Sequence, residues 1–320
     1  MAPALGYHCT AEIGGPVKLR SIQILRGLAA SSVVVHHAAP MTSARLGAAG
    51  VDLFFVISGF IMATVAQRRS PAQFMMDRVR RIYPLWLVAA LPWLIFQQVG
   101  TARLFTTLTL WPVVGGQFHS PALGVGWTLS FEMLFYVGFA LALATRAVLP
   151  LAIYAACFVL GFATDIALFR FIGSPLALEF LLGTWIASLP TSEKAAPWAI
   201  VSGAAILLLA SSGTGENASG LAALIRVLAW GVPAGLVVYG CRSLEGRVSA
   251  RAFDVPVLLG TASYSIYLFH RLVCLLPLWW GANVVLSLLA GLACYRWIEQ
   301  PMLSLRRRVD IAPAPTPAVS

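Results

Sequence analysis

Charge is what this chain has least of. Among 320 residues only 22 are Lys or Arg and 12 are Asp or Glu, 11% in all, against about 25% in a typical soluble domain. So few ionisable groups cannot coat a water-soluble globule of this length, and 59% apolar residues exclude a disordered chain. Cysteine is scarce as well. Cys9, Cys157, Cys241, Cys274 and Cys294 are scattered with no CxxC pair, so neither a disulfide framework nor a metal site is implied. A P-loop, an HExxH helix and a dinucleotide-binding glycine pattern in the right context are all missing. Residues 1–20 carry no apolar run of the signal-peptide kind, and the first span is expected to serve as its own insertion signal. What remains is an all-α, polytopic transmembrane helical bundle.

A bilayer core needs about 20 mostly apolar residues per helix. Runs of that kind, between charged or Pro/Gly breaks, predict ten spans at roughly 21–40, 48–66, 82–98, 126–145, 148–164, 172–190, 197–212, 221–241, 256–279 and 283–303. The segment 104–114 is apolar but short, and reads as half-inserted or interfacial. With the N-terminus inside, 16 of the 22 basic residues fall on the inner side or in a first inner turn. This asymmetry predicts that both termini are cytoplasmic. It also accounts for most of the net charge of +10 without a nucleic-acid partner. Residues 1–20 then form a cytoplasmic segment, 21–305 the membrane domain, and 306–320, rich in Pro and Ala, a disordered cytoplasmic tail. Asn217-Ala218-Ser219 matches a glycosylation sequon in an outer loop, a three-residue match of little weight.

A charge at membrane depth costs a few kcal/mol and faces the protein interior, so the ionisable residues within spans are the candidates for function. Arg26 and His37 are 11 residues apart on the first span. That spacing puts them on one helix face about 16 Å apart, with His36 turned about 100° away. Snorkelling by Arg26 and an interfacial role for His37 would explain the same pattern. Asp52 lies in the outer part of an otherwise apolar second span, where Ser58 and Gly59 permit a close helix approach. In the basic stretch that follows, Arg78 and Arg81 share a side at i,i+3. They read either as ordinary inner-face flanking or as a fork for phosphate, and Pro84 suits the first turn of the next span. Glu132 lies in the outer half of the fourth span beside Trp127 and Tyr136, and needs a partner such as His37 or His270. Tyr264, Tyr267 and His270 form an i,i+3 polar stripe, which interhelical hydrogen bonding alone could explain. Glu179 and Glu299 read as structural, Glu299 pairing an arginine near the inner face.

Six stretches together resemble the acyltransferase 3 family of integral membrane acyltransferases. They are IQILRGLAASSVVVHHA (22–38), GVDLFFVISGFIM (50–62), FMMDRVRRIYPLW (74–86), GWTLSFEMLFY (126–136), SYSIYLFH (263–270) and WIEQPM (297–302). They occur in the family's order, and the opening IQILRGLAA is most like the bacterial exopolysaccharide acetyltransferase branch. Residues 145–255 match in hydropathy alone. The resemblance implies transfer of an acyl group, usually acetyl from acetyl-CoA, to a carbohydrate hydroxyl. It carries over Arg26 and His37 through the family's Arg-x10-His pattern, and Arg78 and Arg81 through its RxxR. Asp52, Trp127, Glu132 and His270 each match a motif position.

The expected mechanism has His37 as general base, oriented or charge-stabilised by Asp52 or Glu132, with an acetyl-His37 intermediate as a variant. Arg26, Arg78 and Arg81 would hold the CoA phosphates, while Trp127, Tyr264 and His270 support the substrate. No metal and no permanently bound cofactor are expected. The expected partners are acyl-CoA, a carbohydrate or lipid-linked saccharide acceptor, membrane lipids and polysaccharide-assembly proteins, at the bacterial inner membrane. Two other classes compete: a proton-coupled transporter and a non-catalytic component of polysaccharide export.

Overall fold

The computed structural model describes residues 19–39, 45–65, 70–210 and 220–304. Most of the N-terminal segment, Arg68, Arg69, the sequon at 217–219 and the tail 306–320 lie outside the described residues.

The described chain is helical apart from one short hairpin. The helices are α1 (Arg20–Ala38), α2 (Ala49–Val65), α3 (Pro71–Phe96), α4 (Thr101–Thr109), α5 (Trp127–Thr145), α6 (Val148–Ala163), α7 (Ala167–Ile172) and α8 (Ala177–Ser188). There follow α9 (Ala196–Ala210), α10 (Gly220–Arg226), α11 (Val232–Ser243), α12 (Asp254–Thr261), α13 (Ser263–Val273) and α14 (Trp280–Cys294). A π-helical turn, Val227–Gly231, joins α10 to α11, and another, Tyr295–Glu299, extends α14. Strands β1 (Val113–Val114) and β2 (Gln117–Phe118) pair antiparallel across Gly115 and Gly116, both at positive φ as a tight hairpin turn requires.

Each expected span coincides with a helix or helix pair, but fewer of them meet the requirements of a crossing. Among the described residues, five helices are long and apolar enough to span a membrane: Pro71–Phe96, Gly124–Thr145, Ala167–Ser188, Gly220–Ser243 and Trp280–Ser304. The pair Arg251–Thr261 and Ser263–Val273, bent by 64°, makes a sixth if it is one span. Helices α2, α6 and α9 are apolar but shorter. Exposed Phe96, Leu209 and Trp198 would be a liability in water and suit a lipid-facing surface.

One boundary differs from the sequence reading for a local reason. Helix α3 begins at Pro71 instead of near Pro84, because Ser70 and Gln73 form a capping box ahead of the first turn. The basic stretch 74–81 is therefore the first part of α3, and Pro84 and Pro92 lie inside the helix. Membrane helices tolerate interior proline where neighbours satisfy the freed backbone groups. The segment 104–114 is no span: α4 lies beside α3, with the Trp86 indole donating to the Thr107 carbonyl at 2.8 Å.

The core is built around α2. Its Gly59 faces the Phe180 carbonyl and Gly183 of α8 faces the Val56 carbonyl. A Cβ at either glycine would collide with backbone, so the two helices cross at the closest approach small residues allow. Phe55 stacks on Phe180, which stacks on Phe135, at centroid separations of 4.6 and 4.4 Å. These rings tie α2, α8 and α5 into one apolar core. At one end of the bundle Glu245 accepts the Arg20 and Ser21 amides at 2.6 and 2.8 Å. A carboxylate on unpaired N–H groups at a helix N-terminus is favourable. Arg20 also pairs with Asp254 at 2.7 Å, which fixes the starts of α1 and α12 together.

Candidate active site

Three arginines expected at the inner face converge on one cavity. Arg26 from α1 and Arg78 and Arg81 from α3 line a cavity of about 130 Å³, together with Ser58, Glu132, Tyr136, Tyr264 and Tyr267. Arg78 and Arg81 reach it together because residues three apart share a helix face. Arg81 pairs with Glu299 at 3.1 Å, and Glu299 accepts the Ser265 hydroxyl at 2.6 Å. The structural role expected for Glu299 is therefore what the geometry places there. The Arg81 guanidinium also lies 5.9 Å from the Tyr264 ring, whose hydroxyl donates to the Ile82 carbonyl at 2.9 Å. Arg78 lies between the Phe74 and Tyr136 rings, at 5.6 and 6.0 Å, and its buried Nε has no hydrogen-bond partner. Among the described residues neither Arg26 nor Arg78 forms an ion pair.

Glu132 belongs to this arginine cavity. It accepts from Ser58 Oγ at 3.1 Å and from the Tyr136 hydroxyl. His37 is not its partner, so the expectation that it orients His37 is corrected. Arg26, Arg78 and Arg81 against Glu132 and Glu299 leave the region one positive charge in excess.

The histidines form a separate pair. His37 Nδ1 lies 3.0 Å from the Val33 carbonyl and 3.3 Å from His270 Nε2. His270 Nδ1 lies 3.2 Å from the Ile266 carbonyl, and its side chain is fully buried. A carbonyl accepts only, so each neutral ring carries its proton on Nδ1. His270 Nε2 is then an acceptor that shares the His37 proton, and His37 Nε2 is left with a lone pair. His36 meets His37 edge-on at 4.9 Å. Neither His37 nor His270 lines the arginine cavity. Tyr267 stands between the two: it lines the cavity, its ring is 6.1 Å from His270, and its hydroxyl bonds Thr128 Oγ1 at 2.7 Å and the Val125 carbonyl at 3.0 Å.

Asp52 is elsewhere. It is fully buried and takes a bidentate ion pair from Arg226, Nε to Oδ1 at 2.8 Å and Nη2 to Oδ2 at 2.9 Å. The guanidinium is flanked by Trp127 at 5.6 Å and Trp230 at 5.3 Å. Glu179, fully buried, rests against Gly231 in the same region. The expectation that Asp52 supports His37 is thus corrected. On α2 the cavity is lined by Val51, Phe54, Phe55, Ile57, Ser58, Ile61 and Met62 but not by Asp52, which is turned about 100° from Val51. Trp127 likewise packs on Arg226 and does not line the cavity. Arg226 escaped the sequence reading, although a cation within the apolar run 221–241 is the same signal that singled out Asp52.

The fold and these six motif regions meet in a single comparison. The acyltransferase 3 model, described as an acyltransferase domain, matches residues 19–302. The chain belongs to this acyltransferase family. It is similar to the "Exopolysaccharide production protein ExoZ" of Rhizobium meliloti (strain 1021), 36% identical over 307 residues that cover 84% of this chain and 94% of the relative. It is also similar to the "Putative membrane-bound transacylase BcsY" of Komagataeibacter xylinus, 28% identical over 291 residues, 78% of this chain and 72% of the relative. No solved structure is significantly similar to it. The resemblance seen in the motifs is therefore family membership, and this acyltransferase is an integral membrane protein.

Proposed function

We propose that this acyltransferase moves an acetyl group from acetyl-CoA to a hydroxyl of an exported carbohydrate in the bacterial inner membrane. The observation that carries the donor is the cavity with three guanidiniums, two of them without an acid partner among the described residues. A buried excess of arginine suits an anionic, phosphate-bearing ligand. The acceptor class rests on analogy with a relative named for exopolysaccharide production. Basic residues concentrated on one side support the ten-span topology with both termini cytoplasmic, which turns the arginines toward the cytosolic donor.

In the chemistry, His37 Nε2 takes the proton of the acceptor hydroxyl as its oxygen bonds to the thioester carbon. The C–S bond breaks, and the CoA thiolate leaves with that proton from the imidazolium. His270 holds the proton on His37 Nδ1 and shares the transient positive charge. The thioester must reach past Tyr267 to meet His37.

Mass spectrometry of surface polysaccharide from cells with and without the gene tests this reading. An acetyl-sized increment per sugar is expected, lost on deletion and on His37→Ala. Substrate-driven proton flux without CoA release would instead make the chain a transporter. For the donor site, Arg78→Ala is expected to raise KM for acetyl-CoA about tenfold to a hundredfold, as loss of a charged hydrogen bond does. An unchanged KM would remove Arg78 from donor binding.

A further inference from the structure

A base that takes the acceptor's proton becomes a cation, and no acid among the described residues pairs with His37 or His270. The two acids expected to support His37 are committed elsewhere, Glu132 to Ser58 and Tyr136 and Asp52 to Arg226. A charged neighbour that the histidines do have is of the wrong sign. Arg271 follows His270 directly on α13 and lies within electrostatic reach of both rings.

Helix geometry makes Arg271 part of the site. It comes four residues after Tyr267 and seven after Tyr264, so the three share one helix face. Tyr264 and Tyr267 line the arginine cavity, and Arg271 continues their face one turn beyond it, level with His270. His270 is fully buried, whereas His37 and Arg271 are each half-buried and open to an incoming molecule. Among the described residues the Arg271 side chain has neither an ion pair nor a hydrogen bond. A bare guanidinium beside a base that must become a cation opposes the reaction, and an anion bound to it reverses that effect. The donor is not the source of that anion. In the reading above its phosphates are held by Arg26, Arg78 and Arg81, and Arg26 is about 16 Å from His37 along α1. The acceptor remains.

We propose that Arg271 binds an anionic group of the acceptor, either a sugar carboxylate or the phosphate of a lipid carrier, beside His37. A guanidinium fork suits both. This rests on the acyl-transfer reading above and names the chemical class of its acceptor. The test uses the purified full chain in nanodiscs of zwitterionic lipid, with acetyl-CoA as donor. The acceptors are de-esterified host polysaccharide, the same polymer with its carboxylates reduced to alcohols, the host's lipid-diphosphate-linked saccharide, and the free saccharide cut from it. Arg271→Gln is expected to raise KM for the anionic acceptor about tenfold to a hundredfold, as loss of a charged hydrogen bond does. KM for acetyl-CoA and thermal stability should be unchanged, and Arg271→Lys should recover part of the loss. A loss reproduced by carboxyl reduction assigns the carboxylate, and one reproduced by removing the diphosphate assigns the phosphate. An unchanged acceptor KM in Arg271→Gln, or neutral acceptors that serve as well as their anionic parents, would overturn the proposal. An Arg271→Gln effect confined to nanodiscs containing anionic lipid would make Arg271 a headgroup anchor and overturn it too. Failure of the unsubstituted enzyme to acetylate any of the four acceptors would overturn the acyl-transfer reading itself, and this proposal with it.

Discussion

His37→Ala is expected to lower acyl transfer by about 10²- to 10⁴-fold, the usual contribution of a positioned general base. Protein amount and thermal stability in detergent should be little changed. A sugar hydroxyl is a weak nucleophile at neutral pH, and imidazole is the side chain suited to deprotonate it. The pairing with His270 at 3.3 Å and with the Val33 carbonyl at 3.0 Å directs the His37 proton to Nδ1 and keeps Nε2 basic. The neighbouring histidines supply the control. His270→Ala removes the support but not the base and should cost less than His37→Ala. His36→Ala should cost least, because His36 packs edge-on against His37 and does not hold its Nδ1 proton. Rates of CoA release and of ester formation, measured together for the three variants, check this order. If His37→Ala kept full transfer, or if His36→Ala lost more, the base would have to be found elsewhere.

Arg226→Ala is expected to destabilise the protein by about 3–5 kcal/mol, the cost of leaving a buried charge without its partner. Asp52 would remain, fully buried, with no bidentate guanidinium, and Trp127 and Trp230 would lose the cation between them. Asp52→Ala should also destabilise, because Arg226 would lose its bidentate carboxylate. The informative variant is the double one. Replacing a buried ion pair with apolar residues of similar volume is often close to neutral, so Asp52→Leu with Arg226→Met should recover most of the stability. It should also recover most of the acyl transfer, because the pair touches neither the histidines nor the arginine cavity. Thermal unfolding in detergent and CoA release on the single and double variants give the measurement. A double variant that folds as stably as the parent yet transfers nothing would return Asp52 to the chemistry and refute the purely structural role given to it here.

Much of the site was legible because it rests on local helix geometry. The shared faces of Arg26 with His37, of Arg78 with Arg81, and of Tyr264 with Tyr267 and His270 follow from 3.6 residues per turn and need no knowledge of neighbours. Scarcity of charge picked out Arg26, His37 and His270 among them, since few ionisable groups enter apolar spans without a reason. The start of α3 was also written locally, in Ser70 and Gln73. The proline at 84 drew the expected boundary away from it.

The partners were not legible. His37 and His270 are 233 residues apart, and Asp52 and Arg226 are 174 apart. Which of them meet depends on how each helix is rotated about its axis against its neighbours. Asp52 and Val51 differ by one position and face different parts of the protein. The π-helical turn Val227–Gly231 adds a further rotation just after Arg226, and composition does not announce it.

By itself, then, the sequence determined a membrane-embedded helical protein, its family, and which candidate residues share a helix face. Those conclusions need only composition, short motifs and the pitch of a helix. Only the tertiary structure decided that Glu132 sits with the arginines, that Asp52 holds Arg226, and that His37 turns to His270. Pairing across helices is set by packing at close approaches such as that of Gly59 of α2 against Phe180 of α8, and that packing is a property of the whole bundle.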